Sequence, residues 1–154
     1  MSRIVIEGAH VLTCDTTQSE FPDGHVVLEG NQIVAVGPGP APDAHQGRRV
    51  DGAGCLVTPG LVNTHHHLYQ WVTRGFAVDG SLFEWLTTLY PVWAYLDADL
   101  TRTAATGALA TLARSGCTTS TDHHYVFPQS GGDLLGAEID AARTVGLRFH
   151  PTRG

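Results

Sequence analysis

The residues best suited to chemistry are three successive histidines, His65, His66 and His67, which close the run Thr58-Pro59-Gly60-Leu61-Val62-Asn63-Thr64. If Leu61 to His67 is one strand, alternate side chains share a face, so His65 and His67 point one way and His66 the other. Two imidazoles on one face can both reach a single metal ion at about 2.0–2.1 Å. Zinc accepts such donors, and so do other imidazole-binding divalent metals, iron among them. A His-x-His by itself reads more readily as a polar strand end or a chance histidine run at a loop. The Pro-Gly lead-in and the apolar residues between favour the metal pair.

The elements that must hold these histidines follow from the pattern on either side. Upstream, Ile4 to Thr13 is β-branched and broken by Gly8, which predicts two short strands. His25 to Gly37 predicts a hairpin turning at Glu29-Gly30-Asn31-Gln32, and Pro38 to Gly47 a loop. Arg49-Val50-Asp51 and Cys55-Leu56-Val57 lead into the histidine strand. Together these read as a small β-sandwich over residues 1–58, in which His10, His25 and His45 are surface or turn residues rather than ligands.

Over residues 59–154 strands alternate with long helical segments, the mark of parallel βαβ units. Ser81 and Glu84 form a capping box that opens a helix from Leu82 to about Leu89, ended or kinked by Pro91. A second helix starts at Asp99 or Thr101, runs to Arg114 and is closed by Gly116. Cys117 to Asp122 reads as a strand with His123-His124-Tyr125 at its C-terminal end. Asp133 to Val145 is a third helix stopped by Gly146, and Leu147 to Pro151 a third strand.

Composition excludes several classes of function. A net charge of −6 with no Lys/Arg cluster argues against a nucleic-acid surface. No apolar run approaches the roughly 18 residues of a membrane span, and Met1-Ser2-Arg3 leads straight into a strand without a signal-peptide core. Cys14, Cys55 and Cys117 are odd in number and widely spaced, which disfavours a disulfide framework and fits a reducing cytoplasm. There is no His-Glu-x-x-His, no His-x-Glu with Pro-Cys-x-x-Cys, no Gly-x-Ser-x-Gly and no phosphate-binding Gly-rich loop.

The segment Pro59-Gly60-Leu61-Val62-Asn63-Thr64-His65-His66-His67 resembles the first metal-binding strand of the amidohydrolase superfamily. Its continuation to Arg74-Gly75 is similar to the cyclic-amidine deaminase and triazine-hydrolase branch, and the run as far as Asp122-His123-His124-Tyr125 is similar to its 8-oxoguanine-deaminating and hydroxytriazine-hydrolysing members. The resemblance implies an α/β fold: a metal-dependent (β/α)8 TIM barrel preceded by a small β-sandwich. Such a barrel takes about 250 residues, so the 154 residues here would supply its N-terminal part only. It implies a divalent metal, zinc first and iron second, held by His65 and His67 with two more histidines and an aspartate from later strands. The implied reaction is hydrolytic deamination of a purine-like heterocycle, 8-oxoguanine to urate plus ammonia. The alternatives are hydroxytriazine or chlorotriazine hydrolysis, or an inert fragment that needs the rest of the barrel. The family's general acid and base, a Glu and the ligand Asp, are not among these residues.

Barrel enzymes place their chemistry at the C-terminal ends of strands, which nominates Gln70, His123, His124 and Arg153. Gln70 can offer a donor and an acceptor to the edge of a planar ring, or bond a loop backbone. Trp71, Trp85 and Trp93 can stack on such a ring or pack in the core. Trp93 stands where nucleoside-deaminating relatives carry a Glu, which favours a free base as substrate. Of His123 and His124, one lines the pocket, taken as His124, or both serve a polar strand end. Arg153 can hydrogen-bond a substrate carbonyl. The expected partner is a small heterocyclic substrate, with a homo-oligomer for the complete enzyme, and the third strand's open edge is a further site of association.

Overall fold

A computed structural model describes residues 2–43 and 46–154, so His45 lies outside the described residues. The chain divides into two units, one ending at Pro59 and the other spanning Gly60–Gly154.

In the first unit, strands β1 (Arg3–Leu12), β2 (Glu20–Glu29), β3 (Gln32–Pro38), β4 (Arg48–Asp51) and β5 (Leu56–Val57) make one five-stranded sheet. The order is β3-β2-β1-β4, with β5 also on β1; β1, β2 and β3 are antiparallel, while β4 and β5 run parallel to β1. Gly8 does not split β1 in two. It sits at φ +72 where the register against β2 slips between Glu7 and Ala9, so it is a bulge inside one strand. The bulge shifts the alternation, which is why Val5 joins Val27 and Ala41 in one buried cluster while Val11 joins Ala9 and Val26 in another. The hairpin turns as expected, with Gly30 at φ +60. His10 pairs with Glu20 at 2.6 Å. His25, expected at the surface, is buried, its Nδ1 3.0 Å from the Gly39 carbonyl.

The second unit alternates strand and helix. Strands β6 (Leu61–Asn63), β7 (Cys117–His124) and β8 (Arg148–Arg153) form a parallel sheet in the order β6-β7-β8. A 3-10 turn covers Leu68–Thr73, followed by helices α1 (Leu82–Trp93), α2 (Ala98–Arg114) and α3 (Leu134–Val145). The Ser81–Glu84 capping box opens α1 as expected. The helix does not stop at Pro91 but runs through it for another half turn, because Leu89 and Trp93 bury their side chains together against Tyr69 and Leu96. Asp97 caps α2 by accepting from the Leu100 amide at 2.8 Å, and Asp133 caps α3 by accepting from Gly136 at 2.8 Å. Gly146 closes α3 in the left-handed region at φ +87. The small residues Ala105, Ala108, Ala141 and Ala142 pack with Leu68 and Leu109 in one core cluster, which joins α2 and α3 to the turn after the histidines. Among the described residues no helix is long and apolar enough to cross a membrane.

Candidate metal centre

The histidine run is not the seven-residue strand expected from its pattern. β6 ends at Asn63, and His65 to His67 lie beyond it in irregular backbone. Three contacts nonetheless fix the run against β7. Asn63 Nδ2 donates to Ser120 Oγ at 3.1 Å, the His123 amide donates to the His66 carbonyl at 2.8 Å, and the Leu68 amide donates to Asp122 Oδ1 at 2.6 Å. Gly60 permits the close start of this pairing: a Cβ there would lie 2.1 Å from Thr118 Cγ2.

The outcome is that His65 and His67 converge although no strand aligns them. Their Nε2 atoms are 3.3 Å apart. Two nitrogens bound to one ion at about 2.1 Å stand about 3.0 Å apart at a right angle and about 3.4 Å apart at the tetrahedral angle, so the observed gap fits a shared divalent metal. The tautomer fits as well. His67 Nδ1 is 2.7 Å from the His123 carbonyl, an acceptor only, so Nδ1 carries the hydrogen and Nε2 keeps its lone pair. His66 takes no part in the close contact between His65 and His67; its Nδ1 is buried with no partner among the described residues. Burial, then the closeness of the two further imidazoles of His67 and His65, pushes its pKa below the ordinary value.

A third imidazole lies beside the pair. His123 has its ring centroid 5.1 Å from that of His65 and 6.0 Å from that of His67. Its Nε2 is 3.3 Å from the Thr64 carbonyl, so it leans on backbone rather than on the pair. Tyr125 stacks at a tilt against His67, with centroids 5.4 Å apart. His65, His66, His67 and Gln70 line an open cleft of about 410 Å³ together with Trp71, Arg74, Phe76 and Trp85. Within it the Arg74 guanidinium sits 4.6 Å over the Trp71 ring.

The other nominated residues divide. Gln70 belongs to the histidine cleft, as just described, and its Nε2 is 3.5 Å from the Tyr69 hydroxyl. Arg153 is exposed and packs its guanidinium over Phe127 at 4.4 Å, beside a second cavity of about 640 Å³ lined by Tyr90, Tyr125, Phe127 and Gln129. Trp93 is fully buried, with Nε1 donating to Thr73 Oγ1 at 3.0 Å, so it is core and offers no stacking face to a ligand. His124 is likewise sealed: its Nδ1 is 2.7 Å from Glu138 Oε1 and its Nε2 is 2.8 Å from the Val126 carbonyl. It cannot line a pocket. Strand alternation explains the exchange of roles, since Asp122 and His124 share the helix-facing side of β7, which leaves His123 and Tyr125 to the side of the imidazole pair. That period of two was present in Asp122-His123-His124-Tyr125 and pointed to His123 and Tyr125.

Behind the sheet, Asp122, His124 and Glu138 bring possible ligand atoms within 4.8 Å of one another, all buried. The 2.7 Å contact between His124 Nδ1 and Glu138 Oε1 has hydrogen-bond length, shorter than the roughly 3.0–3.4 Å between right-angle or tetrahedral ligands of one ion, and the group is better described as a hydrogen-bonded network. Burial and the adjacent Glu138 charge push the Asp122 carboxyl up to about 7. Burial alone would lower the His124 pKa, but the hydrogen bond and charge of Glu138 outweigh it and hold it above the ordinary value.

The sequence of the Amidohydrolase family matches residues 56–153. The chain is 43% identical over 133 residues to 8-oxoguanine deaminase of Pseudomonas aeruginosa, covering 85% of this chain and 30% of that protein. It is 33% identical to hydroxydechloroatrazine ethylaminohydrolase of Pseudomonas sp. strain ADP, covering 100% of this chain and 35% of the relative. The fold superposes on atrazine chlorohydrolase TrzN of Arthrobacter aurescens TC1, a structure complexed with zinc, with a TM-score of 0.90 and 32% identity over 97% of this chain and 35% of that one. The chain thus spans about a third of the length of the relatives it matches.

Proposed function

This chain belongs to the amidohydrolase family, and from that premise we propose that it carries the first two metal ligands of a hydrolase that removes an amino group from a purine-like heterocycle. The observation that carries the reading is the 3.3 Å gap between the Nε2 atoms of His65 and His67, with His67 locked in the ligand tautomer. The metal would be zinc, with iron the second choice; when bound, such an ion makes water acidic enough to attack at neutral pH. The chain's own residues orient and select. Gln70 stands in the cleft beside the pair, where its amide can pair with the edge of a flat ring, and Tyr125 offers an aromatic face next to His67. Arg153 supplies a guanidinium over Phe127 for a substrate carbonyl.

The best single substrate is 8-oxoguanine, because the 8-oxoguanine deaminase of P. aeruginosa is 43% identical to this chain. Hydrolysis of a substituted triazine is the second reading, favoured by the fold match to TrzN. The test is to measure zinc uptake by the chain, and ammonia release from 8-oxoguanine, guanine and aminotriazines by the chain within its complete reading frame, each beside His65→Ala and His67→Ala. Zinc uptake and ammonia release that both need the two histidines support the reading. Zinc uptake that ignores them overturns it.

A further inference from the structure

The group Asp122, His124 and Glu138 is entirely buried and plays no part in the reading above. Asp122 Oδ2 and Glu138 Oε2 have no hydrogen-bond partner among the described residues. Two unpaired, buried carboxylate oxygens would be severely destabilising. Protons remove the difficulty. His124 Nε2 faces the Val126 carbonyl and must carry a hydrogen, and Nδ1 faces Glu138 Oε1. With a second hydrogen on Nδ1, His124 donates to Glu138. With one more on Asp122 Oδ2, Asp122 has a hydrogen to share with Glu138, whose carboxylate lies in the same cluster of atoms within 4.8 Å of one another. The set then reads neutral acid, carboxylate and imidazolium. Its net charge is zero, and each unpartnered oxygen has a hydrogen to give or to accept.

This network is tied to the imidazole pair at two points. Asp122 Oδ1 accepts the amide hydrogen of Leu68, the residue after His67, at 2.6 Å. His123, held between Asp122 and His124, presents the carbonyl that takes the Nδ1 hydrogen of His67 at 2.7 Å. Glu138 alone comes from another element, helix α3.

We propose that Glu138 is a positioning residue: by sharing hydrogens with His124 and Asp122 it fixes the end of β7, and through it the tautomer and place of His67. This rests on reading His65 and His67 as ligands, but its primary readout needs no metal.

The test uses the whole chain, with imidazole 15N resonances and the infrared carboxyl band. The wild type is expected to show His124 protonated on both nitrogens, a protonated-carboxyl stretch that Asp122→Asn removes, and His67 as the Nδ1–H form. Glu138→Gln, whose amide can donate to Asp122 and accept from His124, preserves that form of His67. Glu138→Leu mixes the His67 tautomers and weakens Co²⁺ uptake by at least about tenfold, as loss of an outer partner of a ligand does. Leu109→Ala, a comparable loss of packing in α2, changes neither. Should Glu138→Leu not fold, the wild-type spectra and Glu138→Gln decide the matter. A singly protonated His124 with no protonated carboxyl overturns the network. A Glu138→Leu protein that keeps the His67 tautomer and its Co²⁺ affinity overturns the positioning role. Wild-type chain that ignores Co²⁺ while keeping the expected tautomer counts against the metal reading and supports the network.

Discussion

His67 gives its Nδ1 hydrogen to the carbonyl of His123 at 2.7 Å, and this bond leaves Nε2 as the free nitrogen facing His65. A metal entering between the rings meets one lone pair already aimed. His65→Ala and His67→Ala should each weaken zinc uptake by at least about tenfold, since either removes half of the pair. His66→Ala should leave zinc uptake unchanged, because His66 stands outside the close His65–His67 contact and its buried Nδ1 has no partner among the described residues to lose. Competition against a chromogenic chelator measures all three. A large loss at His66 would mean that the pairing of His65 with His67 is mistaken.

Stability should fall as pH rises toward neutrality, through Asp122. Its folded pKa, raised from 3.8 to about 7, exceeds its unfolded value, so between those limits the folded chain binds more protons than the unfolded one. The contribution is fully present below about pH 4 and lost as pH climbs through about 7, an effect of at most about 4 kcal/mol. His124, also raised, acts in the same direction above its ordinary value. Urea unfolding of wild type and Asp122→Asn across pH 4 to 8 checks this: the stability difference should shift steadily against the wild type as pH rises. A constant difference would rule out a proton held at Asp122.

Gly60→Ala should destabilise by about 1–3 kcal/mol, the usual penalty of overpacking. A Cβ at Gly60 would lie 2.1 Å from Thr118 Cγ2, 2.4 Å from its Oγ1 and 2.8 Å from its Cβ, so trimming the threonine to alanine leaves a clash and only Thr118→Gly clears it. The double variant Gly60→Ala/Thr118→Gly should therefore recover stability relative to the sum of the singles, a coupling that a double-mutant cycle reads directly. Additive effects would show that Gly60 is needed for another reason.

The sequence carried the helices and the imidazole pair well and the side-chain partners poorly, for physical reasons. Caps are local: Ser81 with Glu84, and Gly146 after α3, act within a few residues and can be read without the fold. The convergence of His65 and His67 was expected from strand alternation, yet β6 stops at Asn63 and the convergence comes from hydrogen bonds to β7, whose residues lie 54 and 56 positions away in the chain. Trp93 and His124 looked like ligand contacts because of their chemistry. Only packing shows Trp93 spending its N–H on Thr73 and His124 meeting Glu138 from a later helix. Glu138 itself gave no signal, since a lone acid in an amphipathic helix is usually solvated.

Pro91 was expected to end or kink α1, and the helix passes through it. A proline inside a helix leaves the carbonyl four residues back, here that of Thr87, without its amide donor and crowds that turn. Pro91 is exposed, so replacing it removes no core packing. Pro91→Ala should therefore stabilise the protein by about 1–2 kcal/mol, the helical gain being partly offset by a freer unfolded chain. Thermal unfolding should register this as a rise of several degrees. The buried Trp93, two residues on, should keep its hydrogen bond to Thr73 and its indole N–H resonance. If Pro91→Ala instead lowers stability and shifts that resonance, the proline is bending the last turn of α1 so that Trp93 reaches Thr73, the buried residue at the end of the turn that carries Gln70.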